Sequence, residues 1–272
     1  MVGGLGAQVH DVAVDPGSGT FYISDVTHDT VVSAKIDYPL PISIFPGNEA
    51  AEIGSVRGLA LDDANKRLFV TTWESSPVGG LWRIDLAGPS RTHIVSGLSF
   101  VHDVAYDPVD SKVYWNADLG DGPTPTGKIQ RANPDGTGTE DLLTGLPGQV
   151  RGLDLDTVNR RIYWTDMSNG QIRRSNLDGT GAETVLSGLS NPHDVAVDPV
   201  AGRIYWVEST ADGTEHTAAI RGAGLDGSSP FDVVTGLHQR TRDLTVVYHD
   251  DLYLFEDGFE SGDVSTWTSA VP

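Results

Sequence analysis

Cysteine is absent from the 272 residues, so the chain has no disulfide framework and no thiolate chemistry, and a sizeable apolar core has to hold it together. No apolar run approaches the ~18 residues that a membrane-crossing helix needs. No stretch carries a helical hydrophobic period either. Basic residues are few: 18 Lys and Arg stand against 38 Asp and Glu, a formal net charge of −20. Such a field repels nucleic acid and anionic lipid, and it fits an exported protein kept soluble in saline surroundings by a carboxylate coat. Catalytic signatures are missing too. There is no Gly-x-Ser-x-Gly elbow and no His-Glu-x-x-His. Gly122-Pro-Thr-Pro-Thr-Gly-Lys128 imitates a phosphate loop, but Ile129 stands where Ser or Thr is required. No cofactor is expected.

What the chain does have is a segment repeated six times, with histidine and arginine alternating at its head. The copies are His10-Asp-Val-Ala-Val-Asp15, Arg57-Gly-Leu-Ala-Leu-Asp62, His102-Asp-Val-Ala-Tyr-Asp107, Arg151-Gly-Leu-Asp-Leu-Asp156, His193-Asp-Val-Ala-Val-Asp198 and the weaker Arg242-Asp-Leu-Thr-Val-Val247. Steps of 47, 45, 49, 42 and 49 residues match a four-stranded propeller blade. The fourth unit reads most clearly, with strands predicted at Val150–Leu155, Arg161–Asp166, Gln171–Ser175 and Glu183–Leu186. Each is short, rich in β-branched or aromatic residues, and bounded by turn formers. The expectation is an all-β, six-bladed propeller of four-stranded antiparallel blades.

Tyr163-Trp-Thr-Asp166 is the full YWTD signature, and weaker copies stand at Tyr114-Trp-Asn116, Tyr205-Trp-Val-Glu208, Tyr22-Ile-Ser-Asp25, Leu68-Phe-Val-Thr71 and Tyr253-Leu-Phe-Glu256. Turns such as Asn176-Leu-Asp-Gly179 and Asn133-Pro-Asp-Gly136 follow. On these residues the chain resembles the low-density lipoprotein receptor class B repeat propellers over nearly its whole length. The resemblance implies the propeller fold. It implies no ligand, because the receptor versions are flanked by cysteine-rich modules.

Val2-Gly-Gly-Leu5 resembles the blade endings at Val95–Leu98 and Val185–Leu189, so residues 1–5 are expected to pair with Tyr253–Glu256 and close the ring. The propeller would then occupy residues 1–256. Residues 257–272 would form a tail packed on the last blade. Its Gly258-Phe-Glu-Ser-Gly-Asp263 is similar to tails of exported bacterial proteins, which places the chain as secreted or periplasmic, with a signal peptide absent from this sequence.

The heads of the six inner strands should ring one mouth of the central channel, bringing together His10, Arg57, His102, Arg151, His193 and Arg242. Arginine forks suit carboxylate or phosphate, and protonated histidines would add donors as pH falls through ~6.5. Asp11, Asp103, Asp194 and Asp243 follow the heads and are expected to pair with arginines of neighbouring blades. Asp154 replaces the alanine of most other units, and a carboxylate in a packed strand needs a partner, an arginine or a channel water. Two readings of the ring stay open, a ligand site or contacts that knit the blades. Three histidines also invite zinc, but bonds of ~2 Å demand a convergence that separate blades and nearby arginines disfavour, so no metal is assigned. Asp166 reads as a blade-to-blade latch. His28, His93, His216, His238 and His249 read as solvated.

The functional expectation is a monomeric, non-catalytic binding or interaction module, its partner a protein or a small polar or anionic ligand. The alternative is a lactonase- or lyase-like propeller enzyme, since related rings host such sites at the channel mouth.

Overall fold

The computed structural model describes residues 9–35, 38–45, 55–74, 79–88, 90–117, 126–147, 149–211, 216–238, 241–247 and 253–256. These form strands and turns only. Five four-stranded antiparallel sheets follow one another along the chain, each built from consecutive strands. The fourth runs Val150–Asp156, Arg161–Asp166, Gln171–Asn176 and Glu183–Ser187, within one residue of the sequence expectation.

The blade count is corrected from six to five. Among the described residues the sixth repeat contributes a two-stranded sheet, Leu244–Val247 against Tyr253–Glu256. Past Glu256 the sequence turns to glycine and acid, Asp257–Asp263, with no run of β-branched residues to pair. The expected pairing of residues 1–5 and the tail 257–272 lie outside the described residues. The inner strands Val9–Asp15, Val56–Asp62, Val101–Asp107, Val150–Asp156 and Pro192–Asp198 contact one another in order. Leu244–Val247 touches both Pro192–Asp198 and Val9–Asp15, which completes the circle around the channel.

The core lies between the sheets, because each blade is apolar on both faces. In the YWTD segment neighbouring side chains point to opposite faces. Tyr163 therefore packs on Val195 and Ile204 of the fifth blade, while Trp164 packs with Tyr114 and Ile129 of the third. Trp115, Trp164 and Trp206 are fully buried. Outer latches repeat as well: Arg131 donates to the Leu177 carbonyl at 2.9 Å and Arg174 to the Leu225 carbonyl at 2.8 Å. The carbonyls belong to Asn-x-Asp-Gly turns or their counterparts, whose Gly179 adopts φ +80° and lies too close to the Leu142 carbonyl for any β-carbon.

One backbone device positions the channel mouth. In all five complete blades the inner strand carries a β-bulge at the head of the repeat, for example between Val150, paired with Asp166, and Leu153, paired with Trp164. The bulge takes the leading His or Arg out of the pairing pattern and turns it toward the channel. It also frees the next amide, and a side chain from the second strand takes it. Gly152 donates to Thr165 Oγ1 at 2.9 Å, and that hydroxyl donates to the His193 carbonyl of the next blade at 3.1 Å. Thr71 repeats the arrangement with Gly58 and His102, and Asn116 with Asp103 and Arg151. The third YWTD position is thus the blade-to-blade latch, the strand pairing shifting the second-blade copy by one residue to Phe69–Thr72. Asp166, expected in that role, instead accepts the amide and side chain of Asn169 at 3.1 and 2.8 Å, closing its own turn.

Candidate functional site

All six leading residues line a single cavity of about 140 Å³ at one mouth of the channel, together with Trp73 and four aspartates, Asp11, Asp103, Asp194 and Asp243. The bulges therefore bring together the predicted ring. Its members are not equivalent. Arg151 is engaged, donating to Gln149 Oε1 at 2.8 Å and lying 2.7 Å from His102 Nε2. His193 meets Ser209 Oγ at 3.2 Å. Arg57 lies over the Trp73 ring at 5.2 Å, and Trp73 leans on Phe100 at 5.0 Å. The Arg57 Nε and Trp73 Nε1 donors are buried without a hydrogen-bond partner among the described residues. Arg242 is exposed.

Convergence of like charge shows in the titration. Burial, with the charges of Arg151 and Arg242, lowers Arg57 to about 10. Burial, then Arg57 and the other ring members, holds His10 well below the usual imidazole range. Burial, then Arg242 and Arg151, lowers His193 to about 4. His10 and His193 are therefore neutral at physiological pH, against the expectation that these two gain donors between pH 8 and 6.

Beneath the ring lies a layer of carboxyls, and their role differs from the expectation. Rather than turning to arginines, they accept backbone amides of the neighbouring repeats. Asp103 Oδ2 takes Leu153 N at 2.6 Å, Asp194 Oδ2 takes Leu244 N at 3.0 Å, Asp243 Oδ2 takes Val12 N at 3.2 Å, and Asp11 Oδ2 takes Leu59 N. Asp154 lies one layer deeper, lining a second cavity of about 220 Å³ on the far side of the carboxyl layer. Its partners are the amides of Val197 and Leu155, both at 2.7 Å, in place of the arginine expected. Burial raises Asp11 to about 6 and Asp154 to about 7. It also raises Asp103 and Asp243 well above the carboxylate range.

Two residues escaped sequence reasoning. Trp73 follows the degraded copy Leu68–Thr71 by two positions, where an aromatic was visible but not assigned to the mouth. His93, read as solvated, stacks on Trp82 with centroids 4.1 Å apart.

Residues 160–199 match the low-density lipoprotein receptor repeat class B. Over 227 residues the chain is 30% identical to protein cueball of Drosophila grimshawi, covering 79% of this chain and 34% of that protein. It is 32% identical over 167 residues to the vitellogenin receptor Yl of Drosophila melanogaster, covering 61% of this chain and 8% of the receptor. The chain thus spans about a third or less of the length of these curated relatives. They are insect proteins, so the bacterial origin read from the tail is withdrawn. Among solved structures, the nidogen/laminin complex contains a chain with TM-score 0.66 and 18% identity, covering 94% of this chain and 91% of that one. A gluconolactonase from Xanthomonas campestris superposes with TM-score 0.72 at 14% identity, covering 94% of this chain and 85% of that one. At such identities the likeness shows the fold alone. The repeat match and these neighbours support the YWTD type of propeller, and the sequence relatives are consistent with a binding or interaction module. No helix among the described residues is long and apolar enough to cross a membrane.

Proposed function

We propose that this propeller is a non-catalytic, exported recognition module that receives an anionic group of its partner, a protein or a small molecule, in the channel mouth. The observation that carries the reading is the unmet donor capacity at that mouth. Three arginines line a cavity of about 140 Å³, and the Arg57 Nε and Trp73 Nε1 groups are buried without a hydrogen-bond partner among the described residues. A buried N–H left unsatisfied costs ~1–3 kcal/mol, which an incoming carboxylate or phosphate oxygen would recover. The lowering of Arg57 by the charges of Arg151 and Arg242 has the same remedy, since an anion between them offsets that repulsion. Burial holds two of the carboxyls beneath, Asp103 and Asp243, well above the carboxylate range, which limits how far that layer offsets the attraction.

Titration calorimetry with inorganic phosphate and with a glutamate-rich peptide tests the reading. Binding is expected for one or both, and lost in the Arg57→Ala/Arg151→Ala/Arg242→Ala triple variant. Absence of binding by both probes, or equal binding by the triple variant, overturns it.

A further inference from the structure

The position after each leading residue carries Asp11, Gly58, Asp103, Gly152, Asp194 and Asp243 in turn. Through five repeats aspartate alternates with glycine, and the structure shows what the glycines are for. A β-carbon on Gly58 would meet the Asp103 backbone at 2.7 Å, and one on Gly152 would meet the Asp194 Cα at 2.5 Å. Each glycine gives up its space to a neighbouring aspartate. The sixth repeat breaks the rule. Asp243 stands where a third glycine would, so Asp194, Asp243 and Asp11 are consecutive around the channel.

Asp194 accepts the amide that follows Asp243, and Asp243 the amide that follows Asp11, which sets the three carboxyls side by side on one cavity. Asp11, Asp194 and Asp243 are all buried. Ionised carboxylates have acceptors only, so carboxyl-to-carboxyl contacts exist only while a proton sits between them. Each member is also tied to the next repeat through a backbone amide: Asp194 to Leu244, Asp243 to Val12, Asp11 to Leu59. This is the point where the chain's last inner strand meets its first. Among the described residues the sheet here has two strands.

We propose that the closing seam of the ring is held by a shared proton: Asp243 stays a carboxylic acid between Asp11 and Asp194, and rising pH loosens the ring at this seam before any other. The groups facing Asp243 are Asp11 on Val9–Asp15, Asp194 on Pro192–Asp198, and, across the channel, Asp103 and Asp154, with the histidines and arginines of the mouth above. Burial and the neighbouring carboxylates both favour the protonated form of Asp243. A carboxyl whose proton is held more tightly in the folded than in the unfolded chain contributes stability at low pH that disappears as pH rises through its folded value. The mouth histidines work the other way, but only below ~6.5, so the window above it reports the carboxyls.

The test compares melting of the wild type and Asp243→Asn from pH 6.5 to 9. Asparagine keeps an acceptor for Val12 N and supplies permanent donors to Asp11 and Asp194. The wild-type folding constant is expected to fall, at up to about tenfold per pH unit within the titration of the shared proton. Asp243→Asn is expected to flatten that slope and to be the more stable protein at pH 9. Hydrogen exchange on the wild type locates the effect without any variant. After correction for intrinsic rate, the Val12 and Leu244 amides should lose protection with pH while the Gly152 amide, bonded to Thr165, keeps it. A wild type equally stable at pH 6.5 and 9, an unchanged slope in Asp243→Asn, or equal loss of protection at Gly152 overturns the proposal.

Discussion

Replacing Gly152 by alanine adds one methyl group where the fourth and fifth blades come closest. The backbone there is not left-handed, so the effect is steric alone. The new carbon would stand 2.5 Å from Asp194 Cα and 2.8 Å from Val195 N, and closer still to the Asp194 carboxylate. Two of these are backbone atoms, so a rotamer change cannot relieve the clash. Overpacking of this kind costs about 1–3 kcal/mol. Displacing Asp194 also withdraws the acceptor for Leu244 N, bonded at 3.0 Å, and leaving a buried N–H unmet adds ~1–3 kcal/mol. The loss is therefore at least about 2 kcal/mol, which in a domain of this size lowers Tm by at least about 4 °C. Gly88→Ala is the control. Its β-carbon meets nothing within 4 Å, and its stability should stay within ~0.5 kcal/mol of the parent. Calorimetric melting of both decides the matter. If Gly152→Ala melts with Gly88→Ala, the alternation of aspartate and glycine has no packing meaning.

Three further outcomes are expected. Thr165→Val strips both contacts of a latch, leaving Gly152 N and the His193 carbonyl unpaired, and should cost ~1–3 kcal/mol in urea unfolding, whereas Thr165→Ser should recover most of it. His193 should titrate near pH 4 by NMR and show no shift change between pH 8 and 6; because its folded value is depressed, the stability it contributes is present above ~6.5 and lost as pH falls toward 4. With 38 acidic against 18 basic residues, Tm should rise from low salt to 1 M sodium chloride, where the Debye length is ~3 Å, and a flat or falling profile would count against an acidic coat adapted to salt.

Much of the architecture was legible because it is periodic. Apolar alternation with turn residues marked the strands of the fourth blade to within a residue, and the recurring head placed His10, Arg57, His102, Arg151, His193 and Arg242 around one cavity. The two-stranded sheet that the sixth repeat forms among the described residues was less so, since a head copy as weak as Arg242–Val247 still reads as a full unit when counted by spacing. What stayed hidden depends on backbone offsets that composition does not encode. A bulge shifts the register by one residue, so the latch falls to Thr165 rather than Asp166, and the aspartates after each head find amides where their charge suggested arginines. The neutrality of His10 and His193 is likewise a property of depth, and no residue-by-residue reading supplies depth.

The bulge at the head of each repeat also has a bearing on how such a module can change its partner. A residue inside a ladder is answerable to the strand opposite it, but the leading residue has been released from that duty, while the side chain behind it, Thr71, Asn116 or Thr165, secures the frame on its own. Identity at the mouth and integrity of the fold are thereby written in different positions of the same segment. Histidine and arginine are one setting of a dial that could be turned repeat by repeat, and a new specificity could be reached by a handful of exchanges around the channel without disturbing the scaffold that displays them.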